Sequence, residues 1–211
     1  CLSSASAKIW KNLGASRVVL GREASISEAA IIKTLAQVEV EMFVHRSMCM
    51  AYSGNCTISN FTQGRDSNRG GCAHSCLFEY KLQFENEEMA ERQSYFMSSK
   101  DLSGLRVLEE FINAGVDSLK IEGRMKSHLY VGTMVKVYRE ALDFYKEHGH
   151  FLSEKLLLWE KELKKVAHRS YADANLIEKA GSDTIFDERE NTKEGTFKMT
   201  GSILEVLPNE G

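Results

Sequence analysis

The sequence predicts an α/β fold built from parallel βα units, and three observations carry that expectation. Short apolar or alternating runs are followed by capped segments of helical period, and this order repeats through residue 148. One proline in 211 residues leaves regular elements uninterrupted, and the 15 glycines supply the turns between them. At 43% hydrophobic and 27% charged residues, the chain has the composition of a folded globular protein. Four strands can be read, half of what a closed eight-stranded βα-barrel needs, and a doubly wound sheet is the structural alternative.

The elements follow in order. Arg17-Val18-Val19-Leu20, closed by Gly21, predicts a short buried strand. Ser25 and Glu28 form a capping box ahead of Ile31, Ile32 and Leu35, predicting a helix that ends near Ala36. From Val38 to His45 the pattern alternates: Val38, Val40, Met42 and Val44 face one way, Glu39, Glu41, Phe43 and His45 the other. Residues 46–80 are polar, carry four cysteines and have little periodicity, which predicts an insertion shaped by a ligand. Tyr95-Phe96-Met97 suggests another short strand, and Asp101 a cap for a helix carrying Leu105, Leu108, Phe111 and Ile112. That helix should stop at Asn113-Ala114-Gly115, and a strand should follow from Val116 to Glu122. Ser127 opens an amphipathic helix with Val131, Met134, Val135, Tyr138, Leu142 and Tyr145 on one face, closed by Gly149. A further helix is expected from Ser153 to His168, and a strand from Ser202 to Leu207. The expected division is therefore residues 1–150, a helical segment 151–180, and residues 181–211 as linker and start of a new element.

A net charge of −3 and a pI near 6.1 exclude a chain that holds nucleic acid by bulk charge, though not a local basic patch. No apolar run is long enough for a membrane span and no apolar signal segment opens the chain, so a cytoplasmic protein is expected. Cys1 in place of Met, and the strand-like run just before Pro208, lead us to expect a fragment of something longer.

Besides Cys1, the cysteines are Cys49, Cys56, Cys72 and Cys76, spaced C-x6-C-x15-C-x3-C. A disulfide framework suits short secreted chains with little core, which this is not. Zinc sites favour short knuckles at both ends, and only Cys72 and Cys76 are that close. Iron–sulfur clusters tolerate unequal spacings because each iron takes one thiolate. Spacing alone leaves iron–sulfur, zinc and free thiols or disulfides open.

In a βα-barrel the chemistry gathers at the strands' C-terminal ends. There the polar strand faces carry Glu41 and His45 on one strand and Lys120 and Glu122 on another, so these four are the candidate catalytic residues. A buried Lys120–Glu ion pair is the bland alternative. Within the insertion, Arg65 and Arg69 flank Asp66 and Asn68 in a glycine-bounded loop that can grip a carboxylate or phosphate. The alternative there is a structural turn.

Several motifs then agree at once. Glu41-Met42-Phe43-Val44-His45, Met48-Cys49, Tyr52-Ser53-Gly54-Asn55-Cys56 and the run from Gly64 to Cys76 closely resemble the signature of the peptidase U32 family, whose members are often called collagenase-like proteases. Ala7 to Trp10, Arg17 to Glu23 and Asp117 to Ser127 extend the resemblance over roughly residues 1–145. It implies the C-terminal part of a (β/α)8 barrel of the TIM type, with the cysteine-rich insertion, then helices and the start of a small β domain. It also implies that Cys49, Cys56, Cys72 and Cys76 ligate a [4Fe–4S] cluster, with zinc the alternative occupant. Better understood branches of the family hydroxylate bases of tRNA or ribosomal RNA, or act in oxygen-independent ubiquinone hydroxylation. Prephenate is implicated as hydroxyl source in the RNA branch.

The function expected from this resemblance is RNA base hydroxylation, with Arg65, Arg69, Arg124 and Lys126 binding the anionic substrate. A peptidase, as the family name states, and a zinc-stabilised binding module are the alternatives. For a peptidase there is no H-E-x-x-H, no Gly-x-Ser-x-Gly elbow and no recognisable serine triad context. One departure from the family pattern stands out. Arg46 follows the strand-ending His45, where a small residue is usual.

Overall fold

The computed structural model describes residues 1–82, 92–124, 126–186, 195–197 and 199–201. Its elements alternate as expected at the start. Helix α1 (Ser4–Asn12) precedes β1 (Arg17–Val19), α2 (Ile26–Ala36) and β2 (Glu39–Ser47). Ser25 caps α2 by accepting from the Glu28 N–H, and the Glu28 carboxylate returns to the Ser25 N–H. Helix α1 starts with a capping box of the same kind, Ser3 with Ser6, a signal the sequence reading passed over.

The hub of the sheet is β2. Strands β1 and β6 (Ser118–Ile121) both pair with it in parallel through Glu41 and therefore flank it on opposite edges. Past Phe43 the β6 register shifts by a bulge, and β5 (Asp101–Ser103) pairs antiparallel with residues 45–47. Strand β7 (Tyr171–Ala172) adds to β5 in parallel, and β3 (Tyr80–Leu82) with β4 (Arg92–Ser94) makes a separate hairpin. The result is a mixed α/β sheet. Val40, Met42 and Val44 are buried as the alternation requires, each contributing about 2 kcal/mol of apolar burial. Between β2 and β5 the insertion carries α3 (Ile58–Gln63) and two short 3₁₀ turns, at Ser67–Arg69 and Ser75–Leu77.

Several local expectations are corrected. Tyr95-Phe96-Met97 is not a strand; the strands lie on either side, at Arg92–Ser94 and Asp101–Ser103. Asp101 caps no helix, because its carboxylate is taken up by a buried ion pair, and α4 spans only Leu108–Asn113. Helix α5 (His128–His148) is capped by Ser127 and closed by Gly149 as read, but its buried stripe is Tyr130, Met134, Val137, Tyr138 and Ala141, leaving Val135 exposed. On α2 it is Ala29, Ile32 and Ala36 that are buried, while Ile31 and Leu35 face outward. Helix α6 (Ser153–Leu163) stops short of His168; Trp159 and Leu163 are its buried anchors, and Val166 is buried just beyond its end. A short α7 (Ser182–Ile185) closes the described elements, and the strand expected at 202–207 lies outside the described residues.

Candidate functional site

A cavity of about 580 Å³ opens beyond the C-terminal ends of β2 and β6. Strand β2 delivers Arg46, Ser47, Met48 and Cys49 to it, and β6 runs on into Glu122 and Gly123. The insertion supplies Cys56, Cys72 and Cys76, so all four clustered cysteines share one wall. Each is a free, half-buried thiol, while Cys1 lies elsewhere, against Ser6.

The insertion is tied down residue by residue. Asn68 clasps Cys56 from both sides: its Oδ1 accepts the Cys56 N–H at 3.1 Å and its Nδ2 donates to the Cys56 carbonyl at 3.0 Å. Asp66 caps the turn through the Asn68 N–H, and a Cβ on Gly71 would lie 2.7 Å from the Asp66 carbonyl oxygen, so only glycine fits. Arg124 donates to the carbonyls of Gly70 and Cys72. Arg22 reaches the Ala51 carbonyl, and the Glu23 carboxylate accepts the Ser53 N–H. His74 adopts a left-handed backbone (φ 57°) before the second 3₁₀ turn, a conformation that costs a non-glycine residue on the order of 1 kcal/mol.

Electrostatics single out this wall. Burial pushes the Cys76 thiol up to about 11, reinforced by the neighbouring Cys49 and Cys72. At Cys56 burial also acts upward, but the Ser67 hydroxyl and the N–H groups of Ile58 and Ser59 outweigh it and lower the thiol. Five cations line the cavity (Arg22, Arg46, Arg124, Lys126 and Arg169), with Glu122 the one lining carboxylate among the described residues. Burial lowers Arg46, which is steadied by Glu122 at 3.0 Å and stacks over the Phe43 ring at 4.1 Å. Burial, then Arg124 and Arg169, lower His74.

The expected site residues divide sharply. Cys49, Cys56, Cys72, Cys76, Asn68, Glu122, Arg124 and Lys126 meet at the cavity; Glu41, His45, Lys120, Arg65, Asp66 and Arg69 do not line it. Glu41 accepts from Ser118 at 2.8 Å on the early part of β2, with Arg17 nearby at 3.8 Å. The Lys120 ammonium lies over Phe43, so Glu122 pairs with Arg46 and not with Lys120. Arg69 is exposed and pairs with Asp66 at 3.5 Å, in line with the structural-turn alternative for that pair.

His45 is fully buried, caged by Tyr130, Tyr138 and Tyr171 at ring distances of 5.9, 5.6 and 5.2 Å. Tyr138 Oη lies 3.2 Å from both His45 Nδ1 and the Val44 carbonyl oxygen, and His45 Nε2 is buried with no hydrogen-bond partner among the described residues. Burial pushes its pKa down to about 3, a neutral imidazole at physiological pH.

Two residues the sequence reading missed complete the wall. Arg169, with 2% of its side chain exposed, donates Nε and Nη2 to Asp101 Oδ1 at 3.1 and 2.8 Å, and Lys126 reaches Oδ2 at 3.2 Å. Although burial alone would raise it, Arg169 and Lys126 hold the Asp101 carboxyl at about 2. Tyr130 lines the cavity with Lys126 over its ring at 4.9 Å. Neither residue falls in a motif, because Arg169 follows the last long helix and Tyr130 reads as a core position of α5.

Among the described residues no three His, Cys, Asp or Glu side chains converge tightly enough to hold one metal ion. A single zinc needs all its sulfurs about 2.3 Å from one point. A set of four thiols lining one cavity fits a group that takes one thiolate per iron, with zinc the alternative occupant.

Comparison with known proteins agrees with the motifs. The model of peptidase family U32 matches residues 1–185. The tRNA hydroxylation protein P1 of Bacillus subtilis (strain 168) is 40% identical over 205 residues, covering 93% of this chain and 48% of the relative. The 23S rRNA 5-hydroxycytidine C2501 synthase of Escherichia coli (strain K12) is 36% identical over 137 residues, 65% of this chain and 21% of the relative. A collagenase of Porphyromonas gingivalis is 35% identical over 136 residues, 64% of this chain and 37% of the relative. No solved structure matches. The chain spans about half the length of the tRNA hydroxylation proteins it matches. With the family model covering most of its length and the cysteine, Asn68 and Arg124 contacts built on the signature motifs, the chain belongs to peptidase family U32.

Proposed function

We propose that this chain is part of an iron–sulfur enzyme that hydroxylates a base of tRNA or ribosomal RNA, acting in the cytoplasm. The carrying observation is one cavity that gathers four free cysteines and five cations against a single carboxylate. Cys49, Cys56, Cys72 and Cys76 would hold a [4Fe–4S] cluster, which supplies a redox-active iron centre when bound. Asn68 fixes the Cys56 backbone, and Arg124 fixes that of Cys72, so two ligands are oriented by hydrogen bonds to their own peptide groups. Glu122 holds Arg46 across the mouth and is the one lining carboxylate, among the described residues, able to accept a proton at the cavity. Exposed Arg65, Arg69 and Arg124 would meet RNA phosphates, and prephenate is the candidate co-substrate.

The same reading makes β1, β2 and β6 part of a (β/α)8 barrel, with residues 46–80 inserted at the strands' C-terminal ends and residues 181–211 leading to a small β domain. The parallel pairing of these strands and the position of the cavity support it. The name of the Porphyromonas gingivalis relative keeps a peptidase as the alternative reading. The test is anaerobic purification of the full-length protein with iron and sulfide analysis, alongside mass spectrometry of RNA from a deletion strain. Brown protein and loss of a hydroxylated nucleoside, restored by the wild-type gene, are expected. A colourless protein with unchanged RNA would refute the proposal.

A further inference from the structure

Tyr52 stands on the lip of the cysteine-lined cavity: it lines the cavity and is still 59% exposed. A single exposed aromatic ring is ordinary on a protein surface; what sets this one apart is how its backbone is held. The peptide groups on both sides of Tyr52 are pinned by neighbouring side chains from the loop between β1 and α2. Arg22 Nη2 donates to the Ala51 carbonyl at 3.0 Å, and the Glu23 carboxylate accepts the Ser53 N–H at 2.6 Å. The Tyr52 carbonyl is taken as well, by the Asn55 N–H at 3.0 Å, in a turn where Gly54 has φ 84°. The backbone is thus fixed while the ring stays open to solvent at a cavity mouth. A ligand that lies on this ring meets a platform already in place, without the cost of ordering a loop.

We infer that the Tyr52 ring is a stacking platform for an unpaired RNA base at the mouth of the cavity. Every nucleobase has a flat π-face that an aromatic side chain can take, and such stacking is a general means of holding single-stranded RNA. Charge selects the polymer. Five cations line the cavity against Glu122, and Arg22, which pins Tyr52, is one of them, so the phosphates flanking a stacked base meet positive charge. The cavity's volume of about 580 Å³ has room for one nucleotide taken out of its stack. A base paired within a duplex keeps both faces against its neighbours, so the platform accepts only a nucleotide outside a helix. Tyr52 thereby names the form of RNA recognised, a single strand or loop, and its role rests on the hydroxylation reading for the choice of polymer.

Three variants of the full-length protein, purified without oxygen, test this: Tyr52→Ala, Tyr52→Leu and Tyr52→Phe. The ring is exposed, so melting temperature and iron content should match wild type in all three. Fluorescence anisotropy with a labelled RNA single strand of mixed sequence is expected to give a Kd about tenfold weaker for Tyr52→Ala. Tyr52→Leu should be nearly as weak, because it keeps an apolar side chain but has no π-face, and Tyr52→Phe should bind as wild type does. The same strand annealed to its complement should bind all four proteins alike. Equal single-strand affinity in wild type and Tyr52→Ala, an equal loss on the duplex, or Tyr52→Leu binding as well as Tyr52→Phe would each overturn the inference. So would Tyr52-dependent binding of gelatin by a protein that does not bind RNA. The two readings fail separately. Tyr52-dependent single-strand binding by a protein that leaves RNA unmodified keeps the platform and sinks the hydroxylation. An active hydroxylase whose Tyr52→Ala variant binds single strands normally does the reverse.

Discussion

Asp101→Asn is the perturbation whose cost follows most directly from the structure. Asp101 is fully buried and accepts from the Arg169 backbone N–H, Arg169 Nε and Nη2, and Lys126 Nζ. Asparagine keeps the shape but turns one acceptor oxygen into a donor and removes the charge. Lys126, with a fifth of its side chain exposed, can turn to water; Arg169, at 2%, cannot. Stranding one member of a buried ion pair costs about 3–5 kcal/mol, on the order of 10 °C in melting temperature for a domain of this size. Equilibrium urea denaturation of wild type and variant, run without oxygen, measures it. The double variant Asp101→Leu with Arg169→Met should recover part of the loss, since no guanidinium is left buried without its partner and only the backbone N–H of residue 169 and the partly exposed Lys126 lose their acceptor. A loss below about 1 kcal/mol in Asp101→Asn, or a double variant as unstable as the two singles summed, would refute the account.

The other predictions rest on separate contacts. Replacing Cys49, Cys56, Cys72 or Cys76 by Ser should each lower iron content, because a hydroxyl is a poor iron ligand, while Cys1→Ser should not; iron analysis of the five proteins decides. His45 has a folded pKa of about 3 against an ordinary 6.5, so its contribution is fully present above pH 6.5 and is lost as pH falls toward 3. The slope should be about 1.4 kcal/mol per pH unit and should vanish in His45→Gln; identical pH profiles for the two proteins would count against it. Glu122→Gln should lower the melting temperature by a few degrees through loss of the Arg46 pair, and Arg46→Met added to it should restore stability. If turnover per folded molecule returns as well, Glu122 acts only on Arg46 and has no part in the chemistry.

What could be read from the sequence was local or carried by motif. Capping boxes, the apolar alternation of Val40, Met42 and Val44, and the glycine after α5 are each written within a few residues. The four cysteines and Asn68 could be read as a set because the insertion folds on its own turns, with Asp66 and Gly71 closing one of them. Arg169 could not, since its meaning lies in Asp101, a partner 68 positions away on β5. The same applies to the Arg46–Glu122 pair, where the strand pattern offered only a Lys120–Glu pair as the alternative to a catalytic role. Long-range ion pairs leave no periodicity, and a charged residue near a strand end reads the same whether exposed or buried.

The bulge in β2 explains why the candidate catalytic set divided. Strict alternation puts Glu41, Phe43 and His45 on one face, so it sends His45 to the mouth of the strands. The register instead shifts between Phe43 and His45, and Val44, His45 and Arg46 are then buried in succession. A bulge adds one unpaired residue and re-aims the side chains beyond it. Here it gives His45 to the tyrosine cage, where burial keeps it neutral, and gives Arg46 to the cavity beside Cys49. This also accounts for a long cation at position 46. Its guanidinium has Glu122 and the Phe43 ring to rest on, so its charge faces the cysteine wall without being left unpaired in the core. A small residue there would leave Glu122 without this partner, and the cavity would have four lining cations in place of five. Position 46 is thus where one strand irregularity changes the charge of the site while the hydrophobic face of the same strand stays in register with the core.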